Sequence, residues 1–237
     1  MPHHDSDRTA VVIPARMDSA RLPGKPLRRL AGGRFLLDEV VTQARQVTAY
    51  VAVTSPDAVV ESRCRDRRYA FVRTTGFAPD GGQKYPTGTH RVAAVQEYAG
   101  WKNIITIINW QVDEPNVPPS WVANLARLMQ EENWEIGTLV APVLDRREFL
   151  ASPARVKARV KDGRCLGFSR AEGELEHVGI YAFRPDALIC LGKLPPSEKS
   201  VAESLEQLAW LEAGWEIHAV DTGGPAPRAI NSEEDLL

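Results

Sequence analysis

Apolar positions along the chain fall into short runs separated by polar, glycine- and proline-marked turns. Residues 10–15 (AVVIPA) form a run rich in β-branched side chains and read as a buried strand of a parallel sheet. Over 36–47, Leu36, Leu37, Val40, Val41 and Ala44 share one face at helical spacing. A second strand is predicted at 50–54, a weaker helix at 59–68 and a short strand at 69–73. A glycine-rich loop follows at 76–85. Pro86, Thr87, Gly88 and Thr89 read as a helix start, with Thr87 or Thr89 as N-cap, for a helix reaching about Tyr98. Residues 103–109 (NIITIIN) give the strongest strand pattern in the chain. Pro118 or Pro119 opens a helix ending near Gln130, and 136–141 reads as a further strand.

The strand–helix alternation to residue 141 predicts an α/β fold: three α/β/α layers, Rossmann-like, around a mostly parallel sheet. In open sheets of this kind ligands bind at the carboxyl ends of strands. The order then changes. Asp162 and Gly163 lie between two alternating runs in 156–168, a hairpin signal. A strand at 178–183, a helix at 201–213 and a strand at 216–220 complete a small antiparallel subdomain. The whole reads as a single domain spanning 1–237.

Composition narrows the function classes. The chain has 237 residues, 43% hydrophobic, with a net charge of -2. The hydrophobic share is ordinary for a globular protein. The balanced charge carries no footprint for nucleic acid, so any anion must be met by local charge. Cys64, Cys165 and Cys190 are odd in number and widely spaced, which fits a reducing compartment rather than a disulfide framework or zinc site. The polar N-terminus does not read as a signal peptide, and His3 and His4 read as part of a solvated tail. No apolar stretch approaches the ~20 residues a membrane span needs.

Three segments carry chemistry. The first, 16–27 (RMDSARLPGKPL), follows a buried strand. It lacks the P-loop order, yet Gly24 lets backbone N–H groups turn inward, Lys25 offers a point charge, and Arg16 and Arg21 can fork onto phosphate oxygens. Composition alone leaves a solvated basic loop equally open. The second, 109–115 (NWQVDEP), sets Asp113 and Glu114 at a strand end, where magnesium is held by one or two carboxylates beside phosphate oxygens; a plain acidic turn is the competing reading. The third, 230–236 (INSEEDL), reads as a helix start with Asn231 as N-cap and Glu234 closing a capping box. The Asn231 oxygen also suits a hard cation.

In order, VVIPAR-x-x-S-x-RLPGKPL, GT-x-R, Q-x-DEP, HVGIYAFR and LEQL resemble the 3-deoxy-manno-octulosonate cytidylyltransferase (CMP-KDO synthetase) family from Val11 to the C-terminus. The RLPGKPL match at Arg21 to Leu27 is the most specific. The resemblance implies a cytoplasmic, homodimeric, magnesium-dependent transferase of lipopolysaccharide biosynthesis. It would move CMP from CTP to a small, KDO-like sugar acid and release pyrophosphate. It implies Arg16, Lys25 and Asp113 as catalytic residues, and a nucleotide site of Pro14, Ala15, Arg16, Ser19, Lys25, Thr87, Gly88, Thr89, Arg91 and Gln111. The sugar acid would meet Gln111, Arg170, His177, Tyr181, Glu206 and Gln207, and magnesium would meet Asp113 and Asn231. The labour would divide into 9–142 for the nucleotide, 143–220 for the sugar and for dimerisation, and 221–237 returning to the active site. No nucleic acid or membrane enters this reading. Another nucleotide or acceptor, or a weakened nucleotide-binding relative, are the alternatives.

The chain departs from the family pattern at four places. The glycine of Q-G-D-E-P is Val112, the acidic residue before Arg91 is His90, and the second metal aspartate is Asn231. Between Arg170 and His177 a longer family segment is cut to Ala171–Glu176, which predicts a more open acceptor pocket.

Overall fold

The computed structural model describes residues 8–74, 87–99, 101 and 103–237. The predicted loop at 76–85, Pro86, His3 and His4 lie outside them. The strands are β1 (Thr9–Pro14), β2 (Tyr50–Ser55), β3 (Ala70–Arg73), β4 (Thr106–Trp110), β5 (Ile136–Ala141), β6 (Lys157–Lys161), β7 (Arg164–Ser169), β8 (Leu175–Phe183) and β9 (His218–Asp221). They form one nine-stranded sheet in the order β3-β2-β1-β4-β8-β5-β9-β7-β6, with β8 also pairing β6.

The sheet is mixed, where the sequence predicts a mostly parallel one. β1 pairs β2 and β4 in parallel, as β2 does β3 and β5 does β9. β8 inserts antiparallel between β4 and β5. Its composition explains the placement. Val178, Ile180 and Ala182 enter one core while Tyr181 and Phe183 enter the other, so the strand is apolar on both faces and suits the middle of a sheet. The β6–β7 hairpin, expected as a separate subdomain, continues the same sheet through β8 and β9. Its turn is the predicted one, with Asp162 and Gly163 both at positive φ, 50° and 73°.

Period-two alternation gives the sheet a core on each side. Val11 and Ile13 face one cluster and Ala10 and Val12 the other. The first cluster takes the apolar stripes of α1 (Leu36–Ala44), α2 (Ala58–Arg67) and α4 (Pro119–Glu131). The second takes those of α3 (Gly88–Ala99), α6 (Pro185–Leu191) and α8 (Gln207–Glu212).

Two further differences from the sequence pattern have local causes. The single helix predicted at 201–213 is two, α7 (Glu198–Glu203) and α8, because Ser204 adopts a left-handed φ of 53° and ends the first. α5 (Arg146–Ala151) and α6 were not predicted. Each shows its start signal: the Asp145 side chain accepts the Glu148 N–H at 2.9 Å, and Pro185 opens α6. Among the described residues no helix is long and apolar enough to cross a membrane.

The shortened segment before β8 lies against β6. A Cβ at Gly173 would sit 2.7 Å from Lys157 Cβ and 3.0 Å from the Ala158 backbone N and O. Gly173→Ala is therefore expected to cost about 1–3 kcal/mol of stability. Gly32→Ala, with nothing within 4 Å, should stay within about 0.5 kcal/mol of wild type. Urea denaturation of both variants checks the pair, and equal stabilities would refute the close approach.

Candidate active site

The first loop leaves β1 and is built from its own backbone. Leu22 is fully buried and anchors it. The Gly24 N–H donates to Met17 O at 2.9 Å, and a φ of 71° at Gly24 turns the chain into a 3₁₀ turn at Lys25–Leu27. Outside the loop, Asp57 Oδ2 accepts the Met17 N–H at 2.8 Å, a support the sequence did not single out. This turn drives Lys25 inward, where it is 7% exposed. Its ammonium donates to Asp113 Oδ2 at 2.9 Å and to Asn231 Oδ1 at 3.4 Å. Arg21 donates to the same Asn231 oxygen at 2.8 Å.

Asp113 follows β4. Its carbonyl accepts the Ile230 N–H at 2.8 Å, which ties the C-terminal segment to the strand end. Asn231 is not the N-cap predicted from the sequence. Ser232 takes that position with Asp235 in the capping box, so the Asn231 side chain is free to face Lys25. Asp235 Oδ2 accepts from Asn231 N (2.8 Å), Ser232 N (2.7 Å) and Ser232 Oγ (2.9 Å). Burial opposes the charge on Asp235, but these bonds and Arg228 prevail and hold its pKa below the usual value.

Asp113 and Asn231 offer one carboxylate and one amide oxygen to the Lys25 ammonium, and the Asn231 oxygen is shared with Arg21. Hard oxygen donors converging on one cation fit magnesium, which completes its shell with water and phosphate. Among the described residues no cluster of three or more His, Cys, Asp or Glu offers a closed metal cage. Glu114 is a neighbour of a different kind. Burial first, then the Asp113 charge, pushes its carboxyl up to about 8, against an opposing bond from the Gly179 N–H at 3.2 Å. That N–H is available because β8 bulges opposite Thr138 and Leu139.

A cavity of about 950 Å³ opens beside this node. Of the predicted sugar-site residues, Gln111, Arg170, His177, Tyr181, Glu206 and Gln207 all line it, as do Asp113 and Asn231. Glu206 is half-buried, and its pKa is raised by desolvation against bonds from the Thr87 and Thr89 hydroxyls. Its carboxylate also accepts the Thr89 N–H at 3.4 Å, at the start of α3. Gly88 is hemmed by Pro14, Asn109 and Glu206, so β1, β4, α3 and α8 meet there. Arg91 feels the charges of Arg16 and Glu206 behind this contact. Arg16 is exposed, and Ser19 is half-buried with its N–H on Met17 O at 3.0 Å. Ala15 is buried and donates its N–H to Thr54 O at 2.8 Å.

Two residues differ from their expected parts. Arg170 does not present a free fork. Its Nε donates to Glu203 O at 2.7 Å, Nη1 to Pro153 O at 2.9 Å and Nη2 to Ser204 O at 3.3 Å. Val112, in the family's glycine position, is buried and packs into the core under α4. His90 bridges Thr87 Oγ1 at 2.7 Å and Leu194 O at 3.2 Å. Asn109 was read only as a strand end. It is fully buried, and its Oδ1 finds no partner among the described residues, a costly state that marks a position under load. Arg155 and Glu176 also line the cavity and carried no motif.

A cationic turn at the end of a sheet strand thus faces an aspartate and an amide oxygen beside a cavity, an arrangement suited to a polyphosphate of the kind a nucleotidyltransferase uses. The sequence places it further. Residues 10–217 match the cytidylyltransferase family, and the chain belongs to that family. The 3-deoxy-manno-octulosonate cytidylyltransferase of Xanthomonas euvesicatoria pv. vesicatoria (strain 85-10) is 36% identical over 248 residues, spanning 96% of this chain and 93% of that protein. Its counterpart in Polynucleobacter necessarius subsp. necessarius (strain STIR1) is 35% identical, spanning 95% and 92%. The structure of CMP:2-keto-3-deoxy-manno-octonic acid synthetase complexed with CTP superposes with a TM-score of 0.83 at 31% identity, covering 97% of this chain and 95% of that one. The inositol-1-phosphate CTP transferase from T. maritima, at 13% identity and a TM-score of 0.69, shares the fold.

Two measurements probe the site. Removing one preorganised phosphate donor typically costs about 100–1000-fold in turnover, and Lys25→Ala should lose that much at saturating nucleotide, with circular dichroism confirming that the variant is folded. An unchanged rate would remove Lys25 from the chemistry. His177 donates to or accepts from Thr138 Oγ1 at 2.9 Å, and burial lowers its pKa to about 3. The folded state thus resists protonation that the unfolded chain accepts below about pH 6.5. The contribution of His177 to stability is full above that pH and declines as pH falls toward 3. His177→Gln should flatten the loss of stability between pH 7 and pH 5 in urea titrations. An identical slope in the variant would mean the imidazole is not held neutral.

Proposed function

We propose that this chain transfers CMP from CTP to a KDO-like sugar acid and releases pyrophosphate. The observation that carries the reading is the meeting of Lys25, Asp113 and Asn231 from three distant segments at the mouth of the acceptor-sized cavity. The named relatives supply the choice of nucleotide and acid. Residues 9–142 serve the nucleotide, 143–220 the sugar acid and a homodimer contact, and 221–237 bring Asn231 back to the site. A cytoplasmic role in lipopolysaccharide synthesis accompanies this assignment.

In the reaction, the anomeric hydroxyl oxygen of the acid bonds to the α-phosphorus of CTP. The bond from that phosphorus to its bridging oxygen breaks, and the hydroxyl proton passes to solvent. Negative charge collects on the phosphoryl and leaving oxygens, so the protein acts by positioning and by placed positive charge. Lys25, poised between two oxygens, transfers its contacts to the triphosphate. Arg16 and Arg21 stand on the same loop to take the leaving pyrophosphate. Asp113 and Asn231 would hold magnesium, which when bound polarises phosphorus and lowers the pKa of the attacking hydroxyl. Gln111 and Glu206 orient the acid from opposite walls. Burial keeps His177 neutral, so it offers a hydrogen bond rather than a charge.

The test is pyrophosphate release from CTP with a panel of 3-deoxy sugar acids and neutral sugar phosphates, with and without EDTA. Metal-dependent release with the acids alone is expected. Efficient use of neutral sugar phosphates, or turnover in excess EDTA, would overturn the assignment. In the same assay Asn231→Asp should lower the magnesium concentration needed for half-activity, because a carboxylate binds a hard cation more strongly than an amide.

A further inference from the structure

The acceptor end of the cavity contains an ion pair that the proposed mechanism does not use. Arg155 Nε donates to Glu176 Oε1 at 2.8 Å, and Nη2 closes a second bond to Oε2. Both groups line the same cavity as Asp113 and Gln111, with side-chain exposures of 30% and 12%. Glu176 is the last residue of the shortened segment, and β8 carries it into register with Lys157.

The wall beneath the pair is held from behind by two other cations. Lys157 is fully buried and donates to Arg155 O at 2.8 Å and to Ser152 O. Arg170 donates to Pro153 O. With the carbonyls of 152, 153 and 155 engaged on that side, the Arg155 side chain projects into the cavity. Its guanidinium lies over the Phe149 ring at 4.9 Å, which fixes its plane. Arg170, spent on three carbonyls, is thus a scaffold for the wall, and Arg155 supplies the guanidinium that faces the acceptor.

The pair is only half satisfied internally. Arg155 retains the Nη1 donors, whose nearest acid is Glu148 at 4.0 Å, and Glu176 retains unused lone pairs. Donors and acceptors side by side in one plane match two neighbouring hydroxyls, one accepting from the guanidinium and one donating to the carboxylate. Distance sets which hydroxyls. From Glu176 to Gly179, which touches the Glu114 and Gln111 corner, β8 covers about 10 Å at strand rise. That exceeds one pyranose ring, so the pair lies where an exocyclic arm would reach.

We infer that Arg155 and Glu176 form a specificity site that reads the exocyclic diol of the acceptor's polyol arm. This rests on the sugar-acid reading above, and the experiment separates the two. Steady-state kinetics are measured with a 3-deoxy sugar acid bearing the full arm and with the same acid shortened by its terminal diol carbons. The wild type should prefer the full acid about 10–100-fold in kcat/KM, the worth of one or two hydrogen bonds to charged groups, and mostly through KM. Arg155→Lys keeps the charge pair, and therefore the fold, but loses the planar fork. It and Glu176→Gln should reduce that preference to about 3-fold or less while leaving the KM for CTP within about 2-fold. Melting midpoints confirm that each variant is folded. A preference retained in both variants, or no preference in the wild type, would overturn the proposal while leaving the sugar-acid assignment intact. Failure of the wild type to use either acid would overturn both.

Discussion

The site depends on one ammonium group with two oxygens to satisfy it. Lys25 comes from a loop after the first strand, Asp113 from the end of the fourth, and Asn231 from the C-terminal segment. Each segment alone is a polar turn with many conformations. Closing them on one charge costs loop entropy that the pair alone would not repay at a solvent-exposed position. The surrounding contacts offset it: buried Leu22 under the loop, the Ile230 N–H on Asp113 O, and the Asp235 capping box that aims Asn231.

Electrostatics divide the cavity between its two ends. Around the first loop and α3, burial first and then repulsion from Arg16 lower the pKa of Arg91. Along the cavity wall charges occur in pairs, as at Arg155 and Glu176, or are opposed by burial. Glu114 and Glu206 hold protons more tightly than free carboxylates do, and His177 holds one less tightly.

Much of this was legible in the sequence, and the exceptions share a cause. The AVVIPA strand, the α1 face and the Asp162–Gly163 turn follow from local periodicity and turn chemistry, and the structure has all three. The specific RLPGKPL string pointed to Lys25, and the strand-end acids to Asp113. The insertion of β8 between β4 and β5 was not legible, because no local signal says which strand will pair with which. The split at Ser204 was hidden in a continuous apolar spacing. The resemblance alone pointed to Arg170 as a ligand for the sugar acid, and its bonds to three backbone carbonyls have no mark in the sequence. Arg155 was missed for the opposite reason: it becomes informative only once Glu176, 21 residues away, is seen beside it.

The continuity of the sheet has a mechanical consequence. β8 is hydrogen-bonded to β5 along one edge and to β6 and then β4 along the other. The strands on both sides of β8 therefore belong to one continuous plate. Enclosing the substrates by swinging one lobe onto the other would mean breaking ladder bonds in the middle of the core. Any tightening around bound substrates is left to the rim, where the tips of the first loop and of the C-terminal segment meet through Arg21, Lys25 and Asn231. Such an enzyme would be expected to bring its reactants together by local adjustments of side chains and loop tips, with the plate as a fixed ruler setting the distance between phosphorus and hydroxyl.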